Sequence, residues 1–219
     1  MSQVEERIHS AVARAGRQRS DVTLVAVTKK FAAEVILEAY DLGLRHFGEN
    51  YVQEFEAKHP AVVHLTDAKF HLIGHLQSNK TRIAANLFQR IHTVDSEKIA
   101  HRLSESLEPL RATLDVMIEV KLSEEPSKTG AAPDTLPSLI ETIRECPRLR
   151  LTGLMTMPPW SDDPEQTRPY FRRLAALAHA HSLTHLSMGM SHDFEAAIEE
   201  GATHIRVGTA LFGERPKMA

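Results

Sequence analysis

Short apolar runs alternate with amphipathic stretches along the whole chain. The run "DVTLVAVTK" precedes "AAEVILEAYDLG", and the same alternation continues through "LTHLSM" before "SHDFEAAIEEG" to the closing "ATHIRVGTALFG". Apolar or β-branched residues at two-residue alternation are typical of strands, and apolar residues three or four positions apart are typical of helices. The pattern predicts eight strands, with a helix after each of the first seven.

Strict alternation of strands and helices favours a parallel α/β sheet. Eight units of this size fit a (β/α)8 barrel of the TIM type better than an open doubly wound sheet. Little chain remains after Gly213 for an eighth helix, but Val4, Ile8, Val12 and Ala15 recur at helical spacing. We therefore expect an extra N-terminal helix beside the last and first strands, and one barrel domain over residues 1–219.

Composition narrows the possible partners and location. A chain of 219 residues with 42% hydrophobic residues can bury a sizeable core. The net charge of -3, without a dense Lys/Arg run, argues against nucleic acid and membrane surfaces as partners. No stretch resembles a signal peptide or a membrane span, so we expect a cytoplasmic protein. The single cysteine, Cys146, is interpreted as a small core residue.

The first predicted strand ends in a lysine. In such barrels the functional residues lie at the C-terminal ends of the strands. Lys29 shares one side of its strand with Val25 and Val27, which predicts that its side chain points into the barrel mouth. It is either a solvated lysine, a role that fits Lys30 better, or a partly desolvated amine that forms a Schiff base with an aldehyde.

The ends of strands seven and eight contain small and polar residues. In "SMGMSHDF", Ser191 is a plausible helix N-cap, and Gly189 removes a side chain where backbone N–H groups could approach a ligand. At the end of strand eight, Gly208 and Thr209 offer a further backbone N–H and a hydroxyl. Gly201 fits the C-terminal end of the helix that follows strand seven. Together the two strand ends predict a phosphate site, which is common at this position of the fold.

Barrel closure brings these features together. Because strand eight must pair with strand one, Lys29 and the phosphate site become neighbours, which indicates a pocket for a small phosphorylated carbonyl compound. Spacing alone does not choose between pyridoxal phosphate and a phosphosugar. Arg206 either reaches into the mouth or forms a structural ion pair with a carboxylate such as Glu195 or Glu49.

The chain has 13 histidines, but their spacing does not favour a metal site. His71 and His75 lie about 13 Å apart if the strand is extended, which is too far to share one ion. His179 and His181 face different directions on a helix. We predict no bound metal.

Six segments, taken in order, resemble a known family. They are "AVTK", "HFGENYVQE", "HLIGHLQSNK", "LTGLMTMP", "LSMGMSHDFEAAI" and "IRVGTALFG". Over nearly the whole chain they are similar to the YggS/PROSC family of pyridoxal phosphate homeostasis proteins. The resemblance implies a barrel like the N-terminal domain of alanine racemase, with pyridoxal 5'-phosphate held as an aldimine on Lys29.

The resemblance also implies the remaining cofactor-binding residues. Arg206 matches the arginine that faces the pyridine nitrogen, and Asn50 matches a pocket residue near the ring. The positions that match the phosphate-binding segments are Met190, Ser191, Gly208 and Thr209. The family is regarded as a carrier or regulator of the cofactor that affects amino-acid and keto-acid balance. It has no established reaction. We expect a monomer, and the candidate recipients of the cofactor are apoenzymes that require pyridoxal phosphate.

Three positions depart from the family pattern. Thr28 replaces the usual serine before the cofactor lysine, and Lys30 begins a segment where the family often has "TKP". Lys121 stands in "VKLS" where "VNIS" is common, which adds a positive charge at the end of the fifth strand.

Catalysis is not expected from this arrangement. An arginine facing the pyridine nitrogen donates a hydrogen bond and keeps that nitrogen unprotonated, which leaves a weak electron sink. Racemases of this barrel type place acid/base groups on both faces of the substrate, one of them from a second domain. The sequence ends at Ala219, so we expect no such domain and predict a non-catalytic binder. The alternatives are a racemase-like enzyme that uses the same cofactor and a phosphosugar lyase.

Overall fold

The computed structural model describes residues 1–123, 125 and 129–214. Its centre is a closed barrel of eight parallel strands in sequence order, in which the last strand pairs with the first through Thr23 and His204 and the residues that follow them. The strands are β1 (Thr23–Val27), β2 (His46–Glu49), β3 (Lys69–Leu72), β4 (Arg90–Val94), β5 (Leu114–Glu119), β6 (Leu149–Met155), β7 (His185–Met190) and β8 (His204–Val207). The predicted strands and their closure into a barrel are confirmed.

Helices surround the barrel and cover its apolar outer face. They are α1 (Ser2–Arg14), α2 (Ala33–Asp41), α3 (Val52–Val62), α4 (Thr81–Leu87), α5 (Glu97–Leu107), α6 (Leu136–Glu145), α7 (Arg168–Ala180), α8 (Phe194–Glu199) and α9 (Thr209–Phe212). Short 3-10 turns at Arg19–Asp21, Ser78–Lys80 and Pro164–Thr167 supplement them. Within residues 1–214, the last strand is followed only by the single turn of α9.

The predicted N-terminal helix is present as α1 and packs against α8. Val4, Ile8 and Val12 are buried as expected. The fourth predicted position, Ala15, is only half-buried at the C-cap, and Ala11 provides the remaining buried contact of the helix. One face of α1 therefore supplies apolar cover next to the last strands of the barrel.

Cys146 is buried, and burial raises the pKa of its thiol, so it is a core residue as interpreted from the sequence. None of the helices in the described part of the chain is long and apolar enough to cross a membrane.

The barrel interior is unusually polar. Barrels of this type are generally filled with layers of branched apolar side chains. Here hydrogen bonds within the barrel join polar side chains of β2, β3, β4, β7 and β8, which are His46, His71, Arg90, His92, Ser187, His204 and Arg206. This polar interior leads to the cavity at the C-terminal ends of the strands.

Candidate functional site

A cavity of about 860 Å³ opens at the C-terminal ends of the strands. It is lined by residues at or just beyond the ends of seven of the eight strands. All seven residues that the sequence assigns to a site line it, namely Lys29, Asn50, Met190, Ser191, Arg206, Gly208 and Thr209. The fold therefore brings together residues that lie far apart along the chain.

Lys29 follows β1 and is half-buried in the cavity wall. Lys30 is exposed, has a φ of 64°, and donates its backbone N–H to Glu54 Oε1 at 2.5 Å. A positive φ is uncommon for a residue other than glycine and marks a sharp turn at this point. The turn leaves Lys29 in the cavity and Lys30 in solvent, as the sequence indicated.

A buried ionic cluster supports this turn from below. Thr28 Oγ1 donates to Glu49 Oε1 at 2.8 Å, and Lys58 Nζ donates to both carboxylate oxygens of Glu49 at 2.9 and 3.1 Å. The same ammonium group bonds to the Thr28 carbonyl oxygen at 3.0 Å and to Glu54 Oε1 at 2.6 Å. The departure at Thr28 thus retains the hydroxyl that a serine would supply.

Ser191 joins the ends of β7 and β8. Its Oγ accepts hydrogen bonds from the backbone N–H groups of Gly208 and Ala210, each at 3.2 Å. The prediction that Ser191 is an N-cap is wrong, because α8 begins later and Asp193 is its N-cap residue. The Asp193 carboxylate instead accepts the N–H of Met190 at 2.6 Å.

Gly189 is required by packing. It has a φ of +90°, and a Cβ at this position would lie 2.5 Å from the Cβ of Ala197 and 2.9 Å from the Cα of Phe194. It does not line the cavity, so the prediction that it opens the backbone to a ligand is wrong. Gly201, with a φ of +99°, follows α8 as the predicted stop.

Gly74 allows the loops after β2 and β3 to approach each other. A Cβ at Gly74 would lie 2.3 Å from the carbonyl oxygen of Asn50, so no other residue fits without moving the Asn50 backbone. Both residues line the cavity. The position of Asn50 in the cavity wall therefore depends on this glycine.

Arg206 lies at the floor of the cavity and is 4% exposed. Its guanidinium donates to Ser187 Oγ at 2.7 Å and to the Thr156 carbonyl oxygen at 2.9 Å. Burial lowers the pKa of Arg206 to about 10, so the side chain remains protonated at neutral pH.

The alternative that Arg206 forms a structural ion pair is wrong for both suggested carboxylates. Glu195 binds Arg7 at 3.0 Å, and Glu49 belongs to the cluster with Lys58. Arg206 is thus held by neutral oxygen atoms, and its guanidinium borders the cavity.

Several residues of the cavity wall were missed by the sequence analysis. Glu119, at the end of β5, is 4% exposed and accepts a hydrogen bond from the Thr129 hydroxyl at 3.2 Å. Burial raises the pKa of Glu119. On the outer wall Trp160, the single tryptophan, is 69% exposed and lies over His192 with ring centroids 3.9 Å apart. Glu119 could have been assigned to the cavity from its position at the end of a predicted strand, whereas nothing in the sequence pattern indicated Trp160.

Lys121 and His75 lie in different surroundings. Lys121 is not among the residues that line the large cavity and instead borders a small recess beside Glu119. His75, considered above as a metal ligand, lines the cavity, and its Nδ1 lies 3.3 Å from Asp95 Oδ2. Within the described ranges, no group of three or more His, Cys, Asp or Glu side chains is arranged to hold a metal ion.

The fold and the site define the class of protein. The family model for the alanine racemase N-terminal domain matches residues 1–216. Alanine racemase from Clostridium difficile superposes with a TM-score of 0.70 over 97% of this chain and 57% of that chain, at 14% identity, which shows the shared fold alone.

Closer relatives define the family. Pyridoxal phosphate homeostasis proteins are 44% identical in Aquifex aeolicus, over 98% of this chain and 96% of that protein, and 46% identical in Pseudomonas aeruginosa, over 98% and 94%. PipY from Synechococcus elongatus, solved with pyridoxal phosphate bound, has a TM-score of 0.83 and 38% identity, covering 94% of this chain and 100% of that one. The chain belongs to the family of pyridoxal phosphate homeostasis proteins.

Proposed function

We propose that this protein binds pyridoxal 5'-phosphate covalently through Lys29 and serves in homeostasis of the cofactor, as its carrier or regulator. The observation that carries the proposal is the shared cavity. It places the half-buried residue Lys29 together with the hydroxyl of Ser191, which accepts hydrogen bonds from two backbone N–H groups and keeps its own hydrogen to donate. An amine that attacks an aldehyde and donors that bind a phosphate are the two groups that this cofactor needs.

The chemistry of the donor set fits the cofactor. The hydroxyls of Ser191 and Thr209 would hold the phosphate beside Gly208, whose N–H, like that of Ala210, already donates to Ser191 Oγ. Arg206 is a donor without acceptor capacity and would face the pyridine nitrogen. Asn50 and Met190 would flank the ring, as the family resemblance implies. The cavity, at about 860 Å³, falls within the range usual for small-molecule sites.

The same residues support binding without catalysis. When bound, the cofactor supplies an electrophilic carbon and a sink for electrons. Arg206 stays protonated at neutral pH, so it would donate a hydrogen bond to the ring nitrogen and leave that nitrogen without a proton. Ser187 and Thr156 hold the guanidinium in place through two hydrogen bonds, which limits its movement. We therefore propose a binder that turns over amino acids weakly or not at all.

The name shared by the relatives supports a role in homeostasis. We extend the proposal to one domain over residues 1–219, acting as a cytoplasmic monomer that affects amino-acid and keto-acid balance. Pyridoxal-phosphate-requiring apoenzymes are the proposed recipients. Sedimentation of the purified protein checks the oligomeric state, and mixing the loaded protein with such an apoenzyme checks transfer.

Absorption and chemical trapping test the proposal directly. The purified protein should be yellow, and borohydride should fix a pyridoxyl group on Lys29, as peptide mapping would show. Lys29→Ala should lose the visible absorption and remain folded, whereas the matched control Lys30→Ala should keep both. A label on Lys30 or Lys121 alone would overturn the assignment. A colourless protein that borohydride links only to a phosphosugar would favour the lyase alternative.

A further inference from the structure

A continuous line of hydrogen bonds crosses the barrel interior and ends at Arg206. His46 Nδ1 lies 2.9 Å from His71 Nε2, and His71 Nδ1 lies 2.9 Å from His92 Nε2. His92 Nδ1 lies 2.8 Å from Ser187 Oγ, which accepts a hydrogen bond from Arg206 at 2.7 Å. We refer to His46, His71 and His92 as the histidine chain.

The position of Arg206 fixes the direction of this line. A guanidinium can only donate, so Ser187 Oγ accepts from it. The Ser187 hydroxyl hydrogen then needs an acceptor, and among the described residues that acceptor is Nδ1 of His92. Neutral His92 therefore carries its hydrogen on Nε2 and donates to Nδ1 of His71, which in turn donates from Nε2 to His46. Assigned from the network, all three imidazoles are neutral with hydrogen on Nε2.

The surroundings of the chain favour the neutral forms. Burial lowers the pKa of His46 and places the pKa values of His71 and His92 well below the ordinary value. Charged and titratable groups of other elements face the chain, and those that disfavour a further proton are Lys69, Arg90, His204 and Arg206. The carboxylate near them, Asp115, is bonded to Arg90 at 2.9 Å and to Arg150 at 2.6 Å.

We propose that the histidine chain and Ser187 are positioning residues for Arg206. The chain supplies the acceptor for the Ser187 hydroxyl, and this leaves a lone pair of Ser187 Oγ directed at the guanidinium. The inference rests on the proposed function in one respect, which is that Arg206 faces the cofactor ring. The geometry of the chain itself does not depend on any ligand.

The arrangement couples the two ends of the barrel. His46 begins β2 and is half-buried, whereas Arg206 borders the cavity at the opposite end. A proton on His46 turns its Nδ1 into a donor, so His71 and then His92 must reverse their hydrogen bonds. After this reversal His92 donates to Ser187, whose own hydrogen has no acceptor among the described residues. Protonation of His46 is therefore opposed by the Ser187–Arg206 contact.

Nitrogen NMR of the protein, with and without added pyridoxal 5'-phosphate, tests this inference. Wild type at pH 7.5 should show hydrogen on Nε2 for all three chain histidines. Ser187→Ala removes the hydroxyl that donates to Nδ1 of His92. The hydrogen bonds along the histidine chain should then lose their preferred direction, and the titration midpoint of His46 should move to higher pH. His185→Phe is the matched control. It removes another histidine of the barrel, which has no hydrogen bond to the histidine chain, and should leave the titration midpoint of His46 unchanged.

A second variant separates coupling through the chain from a general change in the barrel. His71→Phe interrupts the chain, so adding Ser187→Ala to it should no longer shift the midpoint of His46. Hydrogen on Nδ1 of His92 in wild type would overturn the inference, and this measurement needs no variant. An unchanged His46 titration in Ser187→Ala would also overturn it. Both results are independent of cofactor binding, so failure of the proposed function remains distinguishable.

Discussion

The ammonium nitrogen of Lys58 lies 2.9 and 3.1 Å from the two carboxylate oxygens of Glu49, and the two side chains are 9% and 0% exposed. Lys58 also holds the carbonyl oxygen of Thr28, the residue before Lys29. The pair therefore fixes the backbone from which the cavity lysine extends. Such buried pairs stabilise little relative to apolar residues, but removing one partner leaves an uncompensated charge.

Replacing Lys58 by methionine should lower the free energy of unfolding by about 3 to 5 kcal/mol, because Glu49 would remain buried without its countercharge. Urea unfolding at pH 7.5 measures the change. Lys69→Met, at an exposed position of β3, is the matched control and should have little effect. A loss in Lys58→Met no greater than in the control would show that the cluster is dispensable.

The second prediction concerns the proposed phosphate site. The double variant Ser191→Ala and Thr209→Ala should lose about 1 to 3 kcal/mol of affinity for pyridoxal phosphate, the scale of hydrogen bonds to a charged group. Loss of the Ser191 hydroxyl also removes the bonds that join β7 to Gly208 and Ala210. Equilibrium dialysis in a Lys29→Ala background measures reversible binding alone.

Two controls restrict this effect to the phosphate. Thr129→Val changes another hydroxyl of the cavity wall and should leave the affinity unchanged. Pyridoxal, which lacks the phosphate, should bind the double variant and its parent equally. If the double variant bound the phosphorylated form as tightly as its parent, these hydroxyls would have a structural role only.

Acid should destabilise the protein below about pH 6.5. Burial places the pKa values of His71, His92 and His204 well below the ordinary value of 6.5 that they regain on unfolding. As the pH falls through 6.5, the unfolded chain binds protons that the native protein does not. The contribution of these histidines to the free energy of unfolding is therefore fully present above this pH and is lost progressively below it. Each histidine contributes a slope of up to about 1.4 kcal/mol per pH unit.

Urea unfolding at pH 7.5, 6.5 and 5.5 measures this dependence. Glu119 has the opposite effect on stability. Because its pKa is raised in the folded state, the native protein binds a proton at this carboxyl group at a higher pH than the unfolded chain does, which favours the native protein as the pH falls. The slope of wild type should exceed that of His71→Phe, and the exposed His64→Gln should match wild type. Equal slopes in wild type and His71→Phe would contradict the assignment of the buried histidines as the cause.

The barrel and several of the residues that line its cavity could be predicted from the sequence for a physical reason. Two-residue alternation defines which residues end each strand on the inner side, and closure of the barrel places β8 beside β1. Lys29, Gly208 and Thr209 could therefore be assigned to one cavity without knowledge of any contact. Family resemblance added Asn50 and Met190, which periodicity alone does not select.

The partners of these residues could not be predicted, because they come from distant parts of the chain. Arg206 is held by Ser187 and by Thr156, which is 50 positions away. Alternation showed that Arg206 could reach the mouth but not which oxygen atoms would receive it. The histidine chain was missed for the same reason, since His46, His71 and His92 contribute one residue from each of three strands.

Gly189 illustrates a different limit. A glycine beside a predicted ligand site has two possible explanations, access for a ligand or close packing of the backbone. The deciding fact is the distance between its position and α8, which only the folded structure contains.

The last prediction is that the loaded protein does not exchange the α-hydrogen of amino acids faster than free pyridoxal phosphate does. Removal of that hydrogen needs a base on one face and an electron sink that accepts the resulting charge. Lys29 would supply the base, but Arg206, which is protonated and held by Ser187 and Thr156, would not give the ring nitrogen a proton. Incubation of single enantiomers in deuterated water, followed by mass spectrometry and chiral chromatography, measures exchange and racemisation.

Two variants make the outcome decisive. Glu119 is the buried carboxyl group of the cavity wall and the structure's best candidate for a second acid or base, because burial raises its pKa. Because we predict no catalysis, Lys29→Ala and Glu119→Gln should both leave the slow background rate of α-hydrogen exchange unchanged. Saturable deuteration that disappears in Lys29→Ala would make the protein an enzyme, and a further loss of racemisation in Glu119→Gln would identify the second group. A spectral change on adding amino acids, without deuteration, is the result expected of a carrier whose cavity admits an amine but leaves the cofactor a weak electron sink.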